Sequence, residues 1–403
     1  MLDENFDPVR PVMTWMDSRA QSEALEAEEF FGKDYLYNMS GWRKNACFDP
    51  AKLLWMRRNE PELFAKTKWF LNTHDYVVYR LCGVLACDYS NSAMRQIFDV
   101  KTLSYDKKVL EFLEISEDKL PKLVPSGVKL GNLTAQACAD TGLTPETELY
   151  SGAHDQYAAA VGCGAMKNGD MLLATGTSWV INAICDKMLF SSAYIAPGIH
   201  VEKGIYGAIA SIGGAGKAVQ WYKDTMLSDV SFKEADLEAE KRAESAKKVC
   251  FYPFFNGIPF PVQRPDVKTT VLGLELHNDR FDVMRAAMEG ACFTIKNALN
   301  SYIGAGFAPK SLIMSGGAAK SPIWRQIAAS IMDVPVEIVA NADACSVGAA
   351  IMAGVSSGML ESYEAAGEKF NKHTAVEADS ELVKLYKEKE QIWMKGYQML
   401  KNS

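Results

Sequence analysis

The spacing of hydrophobic positions changes repeatedly along the chain between the two-residue period of strands and the 3.6-residue period of helices. Residues 11–15 alternate as a strand does, and a helical pattern follows them and stops at Gly32. Further helical patterns begin at Pro50 and end at Gly83. Two short apolar strands hinged at ATGTS (174–178) predict a hairpin. Mixed periods of this kind predict an α/β protein.

The second half of the chain repeats one order of elements: strand, turn and helix. Residues 311–333 and 335–360 each follow this order, and residues 277–306 form one long helical pattern that ends in glycines. Residues 232–248 predict a charged, solvated helix, and a charged amphipathic helix begins at Ser380.

The length of 403 residues is too great for one ordinary hydrophobic core, which predicts two domains. The periodic pattern is interrupted near Gly162–Gly169. We therefore expect a first domain over 1–162 and a second over 163–403.

Composition limits the class of protein. The chain is 48% hydrophobic and carries a net charge of -7, which disfavours nucleic acid as a partner. The first residues do not resemble a signal peptide, and Cys345–Leu360 suits a buried helix better than a membrane span. Nine cysteines without a CxxC spacing indicate reduced thiols in a cytoplasm. A bound phosphate would be held by backbone N–H groups and a metal ion.

Three glycine-containing turns could bind an anion. ATGTS offers backbone N–H groups and hydroxyls, while SGGAAKSPIW (315–324) and ASIGGAGKAVQWY (210–222) each lead into a helix N-terminus. None is a GxGxxG or a Walker loop, so the sequence does not support either of these two nucleotide-binding motifs. Taken singly, a tight hairpin or close packing of strand on helix explains each turn equally well.

Two acidic residues could act on a sugar. Asp155 in GAHDQ could accept a proton from a substrate hydroxyl, although a lone aspartate there is also a helix cap. Trp15, Asp17 and Arg19 combine a ring face with charged hydrogen-bonding groups, as sugar sites do. A surface ion pair beside a core tryptophan is the alternative for that segment.

The order of these motifs is more specific than any one of them. WMDSRA, AKLLWMRRNEPELF, HDYVVYRLCG, DYSNSAMRQIFDV, SGAHDQYAAAVGCGA, LLATGTSWV, RAAMEGACF, MSGGAAKSPIWRQIAA and VGAAIMAG follow one another from about residue 10 to beyond residue 360. This series resembles the FGGY carbohydrate kinases, and within them the xylulokinase-like members that phosphorylate pentuloses.

The resemblance implies an actin-like (ribonuclease H-like) ATPase fold, with two domains and an interdomain cleft. It implies ATP and Mg²⁺ as cofactors, a small sugar as substrate, and Asp155 as the catalytic base and metal ligand. Trp15, Asp17, His154 and Gln156 match sugar-contacting positions. The positions that match nucleotide contacts are Gly176, Thr177, Ser178, Gly214, Gln220, Gly316, Gly317, Ala318 and Ser321.

Two departures from the family pattern stand out. Lys268, Thr269 and Thr270 replace an Ala-Arg-Gly stretch that many relatives carry. The family's first phosphate loop, a DxGT-type hairpin, has no counterpart before WMDSRA, so we expect an incomplete first domain. A fragment, a piece supplied by a separate chain, and a degenerate kinase are the three explanations. The alternative function is therefore a catalytically impaired sugar- or nucleotide-binding protein of the same fold, and a homodimer is left open.

Overall fold

A computed structural model describes residues 1–176, 179–339 and 343–403. They divide into two compact units, each made of three stretches of chain. The first unit comprises Met1–Ala159, Ala196–Gly207 and Cys345–Tyr363, and the second comprises Ala160–Ile195, Ala208–Ala344 and Glu364–Ser403. The domain boundary after residue 162 stays a prediction.

Helices make up much of both units. In chain order the α-helices are α1 Gln21–Phe31, α2 Tyr35–Ser40, α3 Asp49–Asn59, α4 Pro61–Lys66, α5 Thr73–Cys82, α6 Tyr89–Ala93, α7 Lys107–Leu113, α8 Ala135–Thr141, α9 Asp155–Gly162, α10 Ala215–Met226, α11 Phe232–Glu240, α12 Arg280–Gly304, α13 Pro322–Ile331, α14 Ala344–Ser356, α15 Tyr363–Phe370 and α16 Ser380–Asn402.

Strands are short in the first unit and longer in the second. They are β1 Ala86–Asp88, β2 Phe98–Asp99, β3 Ser104–Tyr105, β4 Lys122–Val124, β5 Lys129–Asn132, β6 Glu148–Tyr150, β7 Asp170–Thr175, β8 Trp179–Cys185, β9 Ala196–Ile199, β10 Tyr206–Gly213, β11 Cys250–Tyr252, β12 Thr270–Leu272, β13 Ser311–Gly316, β14 Val336–Val339 and β15 His373–Val376.

Packed helices and three two-stranded ladders form the first unit. Leu54, Val109 and Leu113 lie fully buried in its helical core, which draws on α1, α2, α3 and α7. Strand β1 pairs in parallel with β4 and ends at Asp88, whose carboxylate accepts the backbone N–H groups of Ser90 and Asn91 and so begins α6. This cap fixes the start of α6, where Ser90 contacts the residue before α9.

The second unit is built on a mixed sheet with the order β15-β14-β13-β7-β8-β10. Strand β13 runs parallel to both β7 and β14, and their hydrophobic residues are buried because helices cover the sheet. In the register between β7 and β13, Thr175 lies opposite Gly316. The carboxyl ends of two parallel strands therefore meet at one edge, where α/β proteins commonly bind ligands.

Several sequence predictions are confirmed. Helix α1 ends at Gly32 (φ 84°) and α5 at Gly83 (φ 73°), both in the left-handed region that glycine tolerates. Strands β7 and β8 form the predicted antiparallel hairpin, and α12 is the long helix.

Other predictions are wrong in detail. Residues 11–15 form no strand, because within the described ranges no strand pairs with them and Pro11 lacks a donor. The helix predicted from Pro50 breaks at Glu60, since the residue before Pro61 is disfavoured in the helical region. The charged helix that begins at Phe232 already ends at Glu240.

The apolar stretch Cys345–Leu360 is helical but not buried as predicted. Helix α14 buries Gly348, Ile351 and Met352, whereas most of its other residues are partly or fully exposed. The small residues of this helix therefore raise its hydropathy without placing it in a core. Over the described ranges, no helix has the length and apolar character needed to cross a membrane.

Candidate active site

Asp155 lies in the first unit as the first residue of α9, and its side chain is 66% exposed. His154 precedes it, with Nε2 at 3.3 Å from Oδ1 of Asp155. The backbone N–H of His154 donates to Oγ of Ser90 at 2.7 Å, and that hydroxyl donates to the buried Asp88 carboxylate. A chain of hydrogen bonds from the end of β1 thus fixes the backbone immediately before Asp155.

The environment of His154 favours a neutral ring. Burial lowers the pKa of this imidazole, and the carboxylates of Asp155 and Asp88 oppose that shift. Gln156 follows on the same turn and is half-buried. The structure thus places one open carboxylate beside two polar side chains, an arrangement that can accept a proton from a bound hydroxyl.

Trp15 and Asp17 lie apart in an irregular segment of the same unit. Trp15 is 78% exposed. Arg19 donates through Nε to both oxygens of Asp17, at 2.9 and 3.0 Å, and this pair lowers the pKa of Asp17. Arg19 also lies over the ring of Trp55, 5.1 Å from its centroid. In the part of the chain that is described, neither Trp15 nor Asp17 is hydrogen-bonded or ion-paired to Asp155.

The second unit contains a pocket of about 960 Å³ at the edge where β7 and β13 end. Five of the residues predicted to contact nucleotide line it: Gly176, Gln220, Gly317, Ala318 and Ser321. Gly214 and Gly316 belong to the turns that lead to its wall. Thr177 and Ser178 lie outside the described residues.

Thr175 joins the two glycine turns of this pocket. Its hydroxyl donates to the carbonyl of Ser315 at 2.5 Å and accepts the backbone N–H of Ala318 at 3.1 Å. Its carbonyl accepts the N–H of Gly317 at 3.0 Å. Gly316 has φ 95°, and a Cβ there would lie 2.8 Å from the same carbonyl. Glycine is therefore required for the two turns to approach each other.

Helix α10 forms another wall. It begins at the N-cap Gly214, and a Cβ on Gly216 would lie 2.6 Å from Nε1 of Trp179 and 2.8 Å from the carbonyl of Gly176. Gln220 donates through Nε2 to Asp224 at 2.7 Å on the same helix. The absence of a side chain at Gly216 thus keeps the helix start against the β7–β8 turn.

The pocket has an apolar side and a polar side. The rings of Trp179 and Trp324 lie 5.2 Å apart at 42°, and Val219 and Met288 add aliphatic surface. The N-terminus of α10 supplies backbone N–H groups that have no acceptor within the helix. Such a pocket suits a ligand that carries a flat apolar ring and an anionic group.

Most of the pocket residues were not named as contacts from the sequence, among them Thr175, Trp179, Lys217 and Asp236. Thr175 lies within the predicted ATGTS turn, and Trp179 follows that turn directly, so both could have been found by extending the predicted contacts Gly176–Ser178 by one residue on each side. Asp236 belongs to α11, whose charged pattern indicates only a solvated face.

Two domain models of one sequence family match this chain. The N-terminal domain of the FGGY family of carbohydrate kinases matches residues 1–162, and its C-terminal domain matches residues 171–357. The xylulose kinase of Bacillus subtilis is 29% identical over 376 residues, covering 93% of this chain and 75% of that protein. The gluconokinase of Bacillus licheniformis is 25% identical over 376 residues, covering 90% and 73%.

Solved structures agree with the fold predicted from the resemblance, an actin-like ATPase fold of two domains. The crystal structure of a xyloylose kinase from Brucella ovis has a TM-score of 0.91 at 25% identity, covering 100% of this chain and 82% of that one. A xylulose kinase from Lactobacillus acidophilus has a TM-score of 0.92 at 22% identity with the same coverage. The chain therefore belongs to the FGGY family of carbohydrate kinases, transferases that phosphorylate sugars with ATP.

Proposed function

We propose that the substrate is a pentulose such as xylulose, and that ATP is the phosphate donor. The observation that carries the donor assignment is the pocket of the second unit, which combines an apolar wall with glycine turns at a helix N-terminus. The sugar assignment rests on relatives named xylulose kinase, the first of them 29% identical to this chain. The relatives named gluconokinase make gluconate the first competing substrate to test.

Nucleotide binding is proposed for the second domain, residues 163–403. The indoles of Trp179 and Trp324 and the side chain of Met288 would contact the base. Gly176, Thr177 and Ser178 would receive the phosphates, because backbone N–H groups in such a turn bind anions without a bulky side chain in the way. The other proposed contacts are Gly214, Gln220, Gly316, Gly317, Ala318 and Ser321.

Sugar binding is proposed for the first domain, residues 1–162, with Asp155 as general base. Its carboxylate is open to solvent and would accept the proton of the attacking hydroxyl as that oxygen bonds to the γ-phosphorus. The bond between the γ-phosphorus and the bridging oxygen of the β-phosphate would break in the same transfer, and ADP would leave. Trp15, Asp17, His154 and Gln156 are the proposed sugar contacts.

Mg²⁺ fits this chemistry. Asp155 presents an exposed carboxylate, and Mg²⁺ is usually bound by one or two carboxylates together with substrate phosphates and water. When bound, the ion neutralises charge on the phosphates. We propose Asp155 as the residue of this chain that would hold it.

Replacing Asp155 tests the proposal. We expect Asp155→Asn to reduce turnover about 100- to 10,000-fold, the usual contribution of a general base, and to leave ADP affinity measured without Mg²⁺ unchanged. The assay is sugar-dependent ADP release from the full chain with xylulose, ribulose, gluconate and glycerol. Asp140→Asn, an exposed change in the same unit, is the matched control and should retain wild-type turnover.

The alternative, a binding protein of the same fold, predicts a different result. Such a protein would bind ADP or a sugar in calorimetry and release no ADP with any of the four sugars. Equal activity of Asp155→Asn and wild type would instead contradict the role of Asp155 as base.

A further inference from the structure

We propose that Asp236 is a specificity residue of the nucleotide pocket. Its carboxylate accepts a hydrogen bond from an uncharged donor of the nucleoside, either the exocyclic amino group of the base or a ribose hydroxyl. This inference rests on the proposed nucleotide site and adds a residue of α11 to it. No sequence motif pointed to this helix.

Helix α11 is firmly placed as a wall of the pocket. It begins with a capping box, in which Ser231 and Glu234 satisfy each other's backbone N–H groups. Ala235 and Ala239 are buried on its inner face, and it packs against α12 and α13. Asp236 lines the pocket and is half-buried. Its carboxylate is therefore held at the wall and does not extend freely into solvent.

Asp236 presents acceptors to the pocket. Ser321 lines the same pocket, and its Oγ accepts the backbone N–H of Trp324 at 3.2 Å. An ionised carboxylate offers a ligand only lone pairs, so a ligand group that binds Asp236 must be a donor.

The charge of Asp236 lacks a cation partner. Lys217, Lys233 and Lys320 line the same pocket, yet over the described ranges none forms an ion pair with Asp236. Burial raises the pKa of this carboxyl, and the hydrogen bond from Ser321 opposes that shift. A partly desolvated carboxylate without a cation gains most from an added hydrogen bond, and it repels a phosphate. The nucleoside end of the ligand is the part that suits this position.

The test is calorimetric titration of the full chain with ADP. We expect Asp236→Ala to bind ADP about 10- to 100-fold more weakly, the usual effect of losing a hydrogen bond to a charged group. Asp236→Asn, which keeps the shape, should weaken binding in the same direction. Glu244→Gln, an exposed carboxylate beyond the end of α11 that does not line the pocket, is the matched control and should bind as wild type does. Thermal unfolding of each variant checks that it is folded.

Three analogues identify the donor. Purine riboside 5′-diphosphate lacks the amino group, and 2′-deoxy-ADP and 3′-deoxy-ADP each lack one hydroxyl. We expect one of them to bind wild type about 10- to 100-fold more weakly than ADP, and to bind Asp236→Ala as tightly as ADP does. Unchanged ADP affinity in both Asp236 variants would overturn the inference and leave the nucleotide site standing. Failure of wild type to bind ADP would overturn both.

Discussion

His200 provides a test of the packing of the first unit through the pH dependence of its stability. The side chain is 2% exposed and meets the ring of Tyr157 edge-on at 5.5 Å. Within the part of the chain that is described, neither ring nitrogen has a hydrogen-bond partner. Burial without a partner lowers the pKa of His200 from 6.5 to about 3. The folded chain therefore keeps this ring neutral at pH values where the unfolded chain protonates it.

The sign and size of the effect follow from this difference. The stability that depends on a neutral His200 is fully present above pH 6.5 and is lost as the pH falls from 6.5 towards 3, because the unfolded state binds the proton first. Each unit of pKa difference corresponds to about 1.4 kcal/mol. At pH 5 the expected loss is about 2 kcal/mol of unfolding free energy.

Denaturant unfolding at pH 7.5 and pH 5 measures the loss in wild type and in His200→Leu. The leucine variant lacks the titrating group, so its loss between the two pH values should be smaller than that of wild type by about 2 kcal/mol. His277→Gln, whose side chain is 59% exposed in wild type, should behave as wild type does. Parallel pH profiles for wild type and His200→Leu would refute the reasoning, because they would mean that the folded state protonates His200 as easily as the unfolded state does.

Two further predictions concern the second unit. Gly216→Ala places a Cβ 2.6 Å from Nε1 of Trp179, so we expect ADP affinity measured by calorimetry to fall at least about tenfold. Gly367→Ala is the control, because a Cβ there would have nothing within 4 Å, and unchanged binding by Gly216→Ala would contradict the geometry. Glu289→Gln leaves Lys389 buried without its carboxylate partner, so urea unfolding should show a free energy of unfolding lower by about 3 to 5 kcal/mol. A loss below about 1 kcal/mol would show that the ion pair is dispensable for stability.

Local chemistry explains which elements could be predicted from the sequence. The stops at Gly32 and Gly83 and the β7–β8 hairpin are set by residues next to one another in the chain. The strand predicted at residues 11–15 failed because a strand needs a partner, and alternation of side chains does not supply one. Helix α14 shows the same limit, since hydropathy alone does not decide burial.

The residues of the candidate site also differ in whether the sequence could predict them. Glycine turns are visible in sequence because each requires a backbone that other residues tolerate poorly, and five of the predicted positions surround one pocket. Asp236 was invisible because its position depends on how α11 packs against α12 and α13, and its own charged pattern is typical of a solvated helix.

Motif order identified the family, but it did not separate catalytic from structural residues. The RAAMEG segment on α12 is as characteristic as the turns, yet its glutamate is fully buried, where Glu289 accepts hydrogen bonds from Arg285 at 2.6 Å and from Tyr386 at 2.9 Å. A Cβ on Gly290 would lie 2.0 Å from the carbonyl of Phe251, so this glycine lets α12 pack against β11. Substitution within this segment should therefore reduce stability first and turnover only as a consequence. Glu289 is buried and is hydrogen-bonded to other buried side chains, as expected of a structural residue. Asp155 differs, because its carboxylate is 66% exposed and can contact a substrate.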